Sequence, residues 1–342
     1  MNDIDMGKDC AIEAVGLGRD YQVRSRRTEG TFWWRRLLAR PEVVRGLREI
    51  TLRVEHGEFL GLIGPNGAGK TTTVKLLSGL LHPTSGSLRV QGHRPAARSP
   101  GFLKDIAVVM GQHSQLWWEL PSSCMFDLHR VLYEIPTPVF KERLSEFIDL
   151  LHLGDLVDVP VRELSLGQRA RCQLAVGLLH GPKLLLLDEP TLGLDVLAQR
   201  QIREFLRRYN KDTGATVVLT SHNMADIKYL CARLVVLHQG ALIYDGSISE
   251  FEELRGNTAQ IRVGVKEASL EGEVLEVLRR VTPSAACRQE DGQLILKARR
   301  DEVGKIVGLL APLGEGIEVS IEELSLEDIV LEAFEELGAP KQ

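Results

Sequence analysis

The stretch Gly64-Pro65-Asn66-Gly67-Ala68-Gly69-Lys70-Thr71, followed by Thr72 and Thr73, has residue types and spacing suited to holding phosphate. Glycines let several backbone N–H groups converge on one anion, and a helix starting there adds its positive end. Lys70 then reaches the β- and γ-phosphates of a nucleoside triphosphate, and the Thr71 hydroxyl becomes a Mg²⁺ ligand. A second candidate group is Asp188-Glu189, which closes the apolar run Leu184-Leu185-Leu186-Leu187. In an open α/β sheet, ligands bind at the carboxyl edge of the strands. Asp188 suits an outer hold on Mg²⁺, and Glu189 is placed to orient or deprotonate a water attacking the γ-phosphate. Gln112 and His222 also follow apolar strands. Gln112 could contact Mg²⁺ and the water, and His222 could donate to the γ-phosphate. Each has a plainer reading: an acidic pair caps helices, and a lone Gln or His is usually a hydrogen-bonded surface or core residue.

The elements that would position these groups are visible as patterns. Glu58-Phe59-Leu60-Gly61-Leu62-Ile63 reads as a buried strand before the phosphate loop, and Thr72 to Leu80 has helical spacing after it. Strands are expected from Ala11 to Tyr21, at Val43-Val44, Ile50–Val54, Ser87–Val90, Asp105–Met110, Leu184–Asp188 and Thr216–Thr220. Leu234–Leu237 and Ala241–Tyr244 read as a hairpin. Residues 122–153 are expected to be helical, broken at Pro136 and Pro138, and further helices are expected over Ala170–Leu179 and Ala198–Tyr209. Beyond residue 257 the alternation predicts a small α+β domain: strand, helix, a strand pair about Asp291-Gly292, helix, strand and a last helix over Leu326–Leu337. It could be ferredoxin-like.

The 342 residues allow two or three domains, and 44% are hydrophobic. No run approaches the roughly 18 apolar residues of a membrane helix, and the first residues do not resemble a secretory signal. A net charge of −5 argues against a protein devoted to nucleic acid. Cys10, Cys124, Cys172, Cys231 and Cys287 have the scattered spacing of reduced thiols. Residues 24–40 mix six arginines with Phe32, Trp33 and Trp34. This insertion is either a solvated hairpin packed on its parent domain or a surface for a membrane or partner.

The series Gly64–Thr72, Gln112, Leu164-Ser165-Leu166-Gly167-Gln168, Asp188-Glu189, Gly193-Leu194-Asp195 and His222 resembles that of ATP-binding-cassette ATPases, over residues 11 to about 250. The resemblance implies an α/β P-loop NTPase fold: a RecA-like core, an antiparallel β-subdomain and a helical subdomain at about 113–178. The cassette would occupy residues 1–256 and an accessory domain residues 257–342. ATP and Mg²⁺ are the implied ligands. It implies a head-to-tail pair, either two copies or one copy with a related ATPase subunit. Ser165, Gly167, Gln168 and Asp195 of one subunit would meet the nucleotide held by Lys70 of the other. Tyr21 best fits the adenine-stacking aromatic, with Trp33 or Trp34 as alternatives. Two departures stand out: Leu166 replaces a glycine of Leu-Ser-Gly-Gly-Gln, and only the end of Ser-Ala-Leu-Asp is kept.

The run Gly111 to Pro121 and Leu164–Arg169 resemble bacterial drug- and viologen-exporter ATPases. That implies a separate membrane permease as partner, no nucleic acid, and a place on the cytoplasmic face of the bacterial inner membrane. Trp117 and Trp118 are then candidate docking residues, or else pack between subdomains. The competing reading is a soluble cassette ATPase acting on nucleic acid or ribosomes. Those often carry two cassettes or a long coiled-coil insertion, and basic tracts; this chain has one cassette, no heptad run and a mildly acidic balance.

Overall fold

The computed structural model describes residues 10–23, 42–111, 115–255, 258–265, 270, 272, 274–276, 288–290, 293–323, 326 and 328–330. The insertion at 24–40, with Trp33 and Trp34, lies outside the described residues, as do Gln112 and most of the helices expected after residues 270 and 325. The chain divides into two compact units, Met1–Gly246 and Ser247–Gln342.

In the first unit, β1 (Cys10–Val23), β2 (Glu42–Glu55), β3 (Phe59–Ile63), α1 (Lys70–Leu77) and β4 (Ser85–Val90) open the chain. They are followed by α2 (Pro100–Asp105), β5 (Ile106–Met110), α3 (Ser122–Leu132), α4 (Thr137–Leu151) and α5 (Leu166–Leu178). Then come β6 (Leu184–Asp188), α6 (Val196–Thr213), β7 (Thr216–Thr220), α7 (Met224–Leu230), β8 (Arg233–His238) and β9 (Ala241–Ser247). Strands β2-β1-β4 form an antiparallel sheet, and β5-β6-β7-β3-β8-β9 form the main sheet. The pairs β5·β6, β6·β7, β7·β3 and β3·β8 are parallel.

Parallel strands covered on both faces are apolar along their length. Here Leu60, Leu62, Leu186 and Val218 share one core with Ile12, Leu17, Leu52, Val74, Leu76 and Phe102, joining both sheets and α1. On the main sheet's other face, Gly61 lies so close to Ile227 of α7 and to Cys231 just after it that an added Cβ would sit 3.2–3.3 Å from them. The helical arm is fastened to α6 by aromatics: Phe147 meets Phe205 edge-on at 5.2 Å and lies 6.0 Å from Tyr209.

Several boundaries differ from the sequence expectation, each for a local reason. β2 is one strand rather than two, because its whole length pairs with β1. α2 was not expected; Ser99 caps it by accepting from Phe102 N–H, and Pro100 fits the first turn. α5 begins at Leu166 rather than Ala170, because Ser165 and Gln168 form a reciprocal capping box. α6 runs on to Thr213, where Gly214 ends it in the left-handed conformation.

The second unit holds α8 (Ile248–Arg255), β10 (Thr258–Val265), β11 (Arg288–Glu290), β12 (Gln293–Arg299), α9 (Arg300–Leu310) and β13 (Ile317–Glu323). Its sheet order is β11-β12-β10-β13, all pairs antiparallel. That is the strand order of a ferredoxin-like split βαβ unit. Ile261, Val263, Leu296, Ile306 and Leu310 form its core.

His180, just after α5, stacks on Tyr133 at 4.0 Å between centroids, and its Nε2 lies 3.1 Å from the Ile106 carbonyl oxygen. Burial pushes its pKa down to about 4. The unfolded chain therefore takes up this proton first as pH falls, so the stability His180 carries is complete above about 6.5 and fades toward about 4. His180→Gln is expected to flatten the pH dependence of the thermal unfolding midpoint across that window, as followed by circular dichroism.

Candidate functional site

The phosphate loop leaves β3 at Gly64 and enters α1 at Lys70. Gly64 has φ 157°, and a Cβ there would sit 2.3 Å from the Leu237 carbonyl oxygen of β8. Gly69 has φ 113°, and its Cβ would lie 2.9 Å from the Gly46 carbonyl oxygen. Both positions exclude a side chain by backbone conformation and by space. Lys70 is 7% exposed and donates to the Gly64 carbonyl oxygen at 2.5 Å. Burial lowers its pKa, and Glu189 and Asp188 act in the opposite sense.

The sheet register sets the acidic group. Asp188 ends β6 directly beside Met110 of β5 and Thr220 of β7. Its Oδ2 accepts from Thr71 Oγ1 at 3.1 Å and its Oδ1 from Thr220 Oγ1 at 2.5 Å. Glu189 follows with φ 55°, an uncommon conformation for a side-chain-bearing residue and one that clusters at functional sites. Its N–H reaches the Thr220 carbonyl oxygen and hydroxyl, both at 3.1 Å. The His222 N–H donates to Glu189 Oε2 at 3.1 Å. His222 Nε2 lies 3.3 Å from Oε1 without hydrogen-bond alignment, so this buried oxygen has no hydrogen-bond partner among the described residues. Burial raises the Glu189 pKa, while His222 and Lys70 act to lower it.

These groups line one cleft of about 380 Å³, with Tyr21, Val44, Arg45, Gly46, the loop from Pro65 to Thr72, Lys75 and Met110. The Tyr21 hydroxyl lies 3.1 Å from Thr72 Oγ1, which brings that ring to the loop from β1. Among the expected residues, Tyr21, Pro65–Thr72, Asp188, Glu189 and His222 thus converge, with Gly64 at the loop's entry. Thr71 and Asp188 present hard oxygen atoms side by side, the donor chemistry that suits Mg²⁺. Glu189 Oε1, buried and 3.3 Å from His222 Nε2, is the carboxylate atom that makes no hydrogen bond among the described residues.

Ser165, Gly167, Gln168 and Asp195 do not line this cleft. Ser165 and Gln168 cap α5, and Asp195 caps α6 by accepting from Ala198 N–H at 2.8 Å. A Cβ on Gly167 would lie 2.9 Å from Ala198 Cβ, so α6 approaches too closely for a side chain. Leu166 instead points outward, 50% exposed. That is why a leucine is tolerated at one glycine position of the motif and glycine is kept at the next.

Sequence reasoning missed Thr220, which holds both Asp188 and Glu189, and Gly111, where a Cβ would lie 2.0 Å from the Glu189 carbonyl oxygen. A threonine ending a strand beside the acidic one was the available signal, but only the register of β6 against β7 gives it meaning.

A phosphate cradle entered from a buried strand, with a lysine inside it and an acidic pair on a nearby parallel strand, defines the P-loop NTPases. Residues 47–192 match the family described as ABC transporter. The chain is 29% identical over 219 residues to the ABC transporter ATP-binding protein NatA of Bacillus subtilis, covering 64% of this chain and 89% of that one. It is 32% identical to the Linearmycin resistance ATP-binding protein LnrL of the same species, over 67% of this chain and 73% of that one. The solved structure described as an ATP binding subunit of an ABC transporter shares the fold, with a TM-score of 0.59 and 23% identity over 71% of this chain and 92% of its own. Of several other relatives the match covers less than two thirds: 63%, 28% and 26% of their lengths. The chain belongs to the ABC transporter family as an ATP-binding subunit, and it is an ATPase.

Glu189→Gln is expected to retain ATP binding while lowering turnover by roughly 100- to 10,000-fold, read by phosphate release and nucleotide titration. Because a proton-accepting carboxylate must be ionised, activity falls as pH drops through its raised pKa. The acid limb of kcat/KM should therefore lie above the ordinary glutamate value of about 4.3.

Proposed function

We propose that this chain is the ATPase of an exporter, energising a separate membrane permease through ATP-driven pairing of two cassettes. The observation that carries the reading is the Glu189 carboxylate, buried in the cleft with Lys70, one oxygen held by the His222 N–H and the other 3.3 Å from His222 Nε2. A module that only clamped a partner would not need such a base.

The loop N–H groups and Lys70 bind the β- and γ-phosphates, and Tyr21 packs the adenine. Glu189 accepts the proton of the attacking water, and His222 donates to the γ-phosphate oxygens. Thr71 and Asp188 would hold Mg²⁺, with Gln112 as a further ligand that also orients the water; the bound ion neutralises charge on the β- and γ-phosphates. Ser165, Gly167, Gln168 and Asp195 serve the nucleotide of the paired cassette. The ends of α5 and α6 expose Leu166, Leu192, Val196 and Leu197, an apolar margin suited to burial in that pairing. The second cassette is another copy or a related subunit. The cassette spans residues 1–256, and residues 257–342 act as an accessory domain.

Trp117 and Trp118, on the loop before α3, are 57% and 51% exposed. The Arg169 guanidinium sits 4.4 Å from the Trp118 ring centroid, fixing one tryptophan while leaving a face free for the permease. No helix among the described residues is long and apolar enough to cross a membrane. The likeness to a linearmycin-resistance ATP-binding protein supports the export reading, and the chain then works as a peripheral subunit on the cytoplasmic face of a bacterial inner membrane.

Affinity purification of the tagged chain from its native membranes should bring down a polytopic membrane protein that alters the ATPase rate. Trp117→Ala/Trp118→Ala should lose that partner while keeping basal turnover. Recovery of ribosomal or nucleic-acid-bound partners instead would overturn the transport reading and leave the ATPase chemistry standing.

A further inference from the structure

Behind the cleft lies a polar cluster that the hydrolysis mechanism does not itself use. Asp226, on the first turn of α7, is 0% exposed. Its Oδ1 accepts from Arg203 Nη1 of α6 at 2.7 Å. Its Oδ2 accepts from the Thr191 hydroxyl and, at 3.2 Å, from the Ser221 hydroxyl. Thr191 and Ser221 are themselves 4% and 1% exposed. An ion this buried requires its partners, because removing one leaves an uncompensated charge out of water.

The position of those partners matters more than their number. Thr191 stands two residues after Glu189, in a turn closed by Leu192 N–H on the Glu189 carbonyl oxygen at 3.2 Å. Ser221 immediately precedes His222. One carboxylate therefore ties down both short loops whose other ends carry the groups facing the γ-phosphate. A second bridge joins the same region: Asn223 Nδ2 donates to Gln199 Oε1 at 3.2 Å, and Gln199 Nε2 donates to the Leu194 carbonyl oxygen at 3.1 Å. Among the described residues, Asp226, Thr191 and Ser221 do not line the cleft, and neither the phosphate loop nor Tyr21 bonds to them.

We propose that Asp226 is a positioning residue for ATP hydrolysis, holding the Glu189 loop and the His222 loop in fixed register through Thr191 and Ser221. The inference rests on the reading that Glu189 and His222 carry hydrolysis. It requires a specific split: loosening the node displaces the proton acceptor and the γ-phosphate donor but leaves the nucleotide cradle in place. A displacement of roughly 0.5–1 Å is enough to take a catalytic group out of near-attack geometry.

The test is steady-state ATPase kinetics on the full chain with Mg-ATP, alongside nucleotide binding and thermal unfolding. Asp226→Asn keeps the volume but removes the charge. Thr191→Val removes one bond and leaves the Asp226–Arg203 pair intact, so it serves if the first variant folds poorly. Both should lower kcat, by about 10- to 100-fold for Asp226→Asn and less for Thr191→Val, with KM for ATP and nucleotide affinity near the wild-type values. A folded variant pair with wild-type kcat, or one losing kcat and nucleotide affinity in parallel, would overturn the proposal. Glu189→Gln is measured beside them. If it still turns over, the underlying hydrolysis reading fails; if it is dead while both node variants match wild type, the Asp226 inference alone fails.

Discussion

Everything in the cleft depends on where the Asp188 carboxylate is held. It accepts from Thr71 at the start of α1 and from Thr220 at the end of β7. Those two bonds join the phosphate loop to the edge of the main sheet. The parallel pairing of β5, β6, β7 and β3 makes this possible, because it brings four strand ends to one edge. Without that register, the lysine, the acidic pair and the histidine would be separate features on separate strands.

The electrostatics follow from the same convergence. Lys70 and Glu189 are both buried, and burial alone disfavours each charge. They oppose each other's shift, so the cleft holds opposite charges in a place from which water is largely withdrawn. A low-dielectric setting strengthens the effect of each on an incoming phosphate. The unusual backbone at Glu189 is sustained by three hydrogen bonds: two from its N–H to Thr220 and one from the His222 N–H to its carboxylate.

The departures from the family pattern have steric explanations. Gly167 is kept because α6 leaves no room for a Cβ, whereas the side chain of Leu166 projects outward beside Leu192. The surface near the start of α5 is consequently more apolar than a glycine there would make it. The helical arm that carries this surface is fixed to α6 through Phe147, Phe205 and Tyr209, so movement of the arm and of α6 is coupled by packed rings.

The sequence by itself determined the phosphate loop, the acidic pair, the alternation of apolar strands and amphipathic helices, and hence the class of chemistry. Those features are local: glycine, lysine and carboxylate spacing within one strand–loop–helix segment fixes their roles. It also showed the small second unit as strands and helices, with the pair about Asp291-Gly292, though not the other strand partners. Only the tertiary structure decided that Thr220 holds Asp188, that Gly111 makes room for the Glu189 carbonyl, and that Asp226 gathers Thr191, Ser221 and Arg203. Helix limits differ from the expectation where a side-chain cap sets the start, as at Ser165, or a glycine the end, as at Gly214. The physical reason is common to all of these. A residue's value in a site depends on which strand lies beside it and how closely backbones approach, and both are set by burial of the whole core rather than by neighbours in sequence.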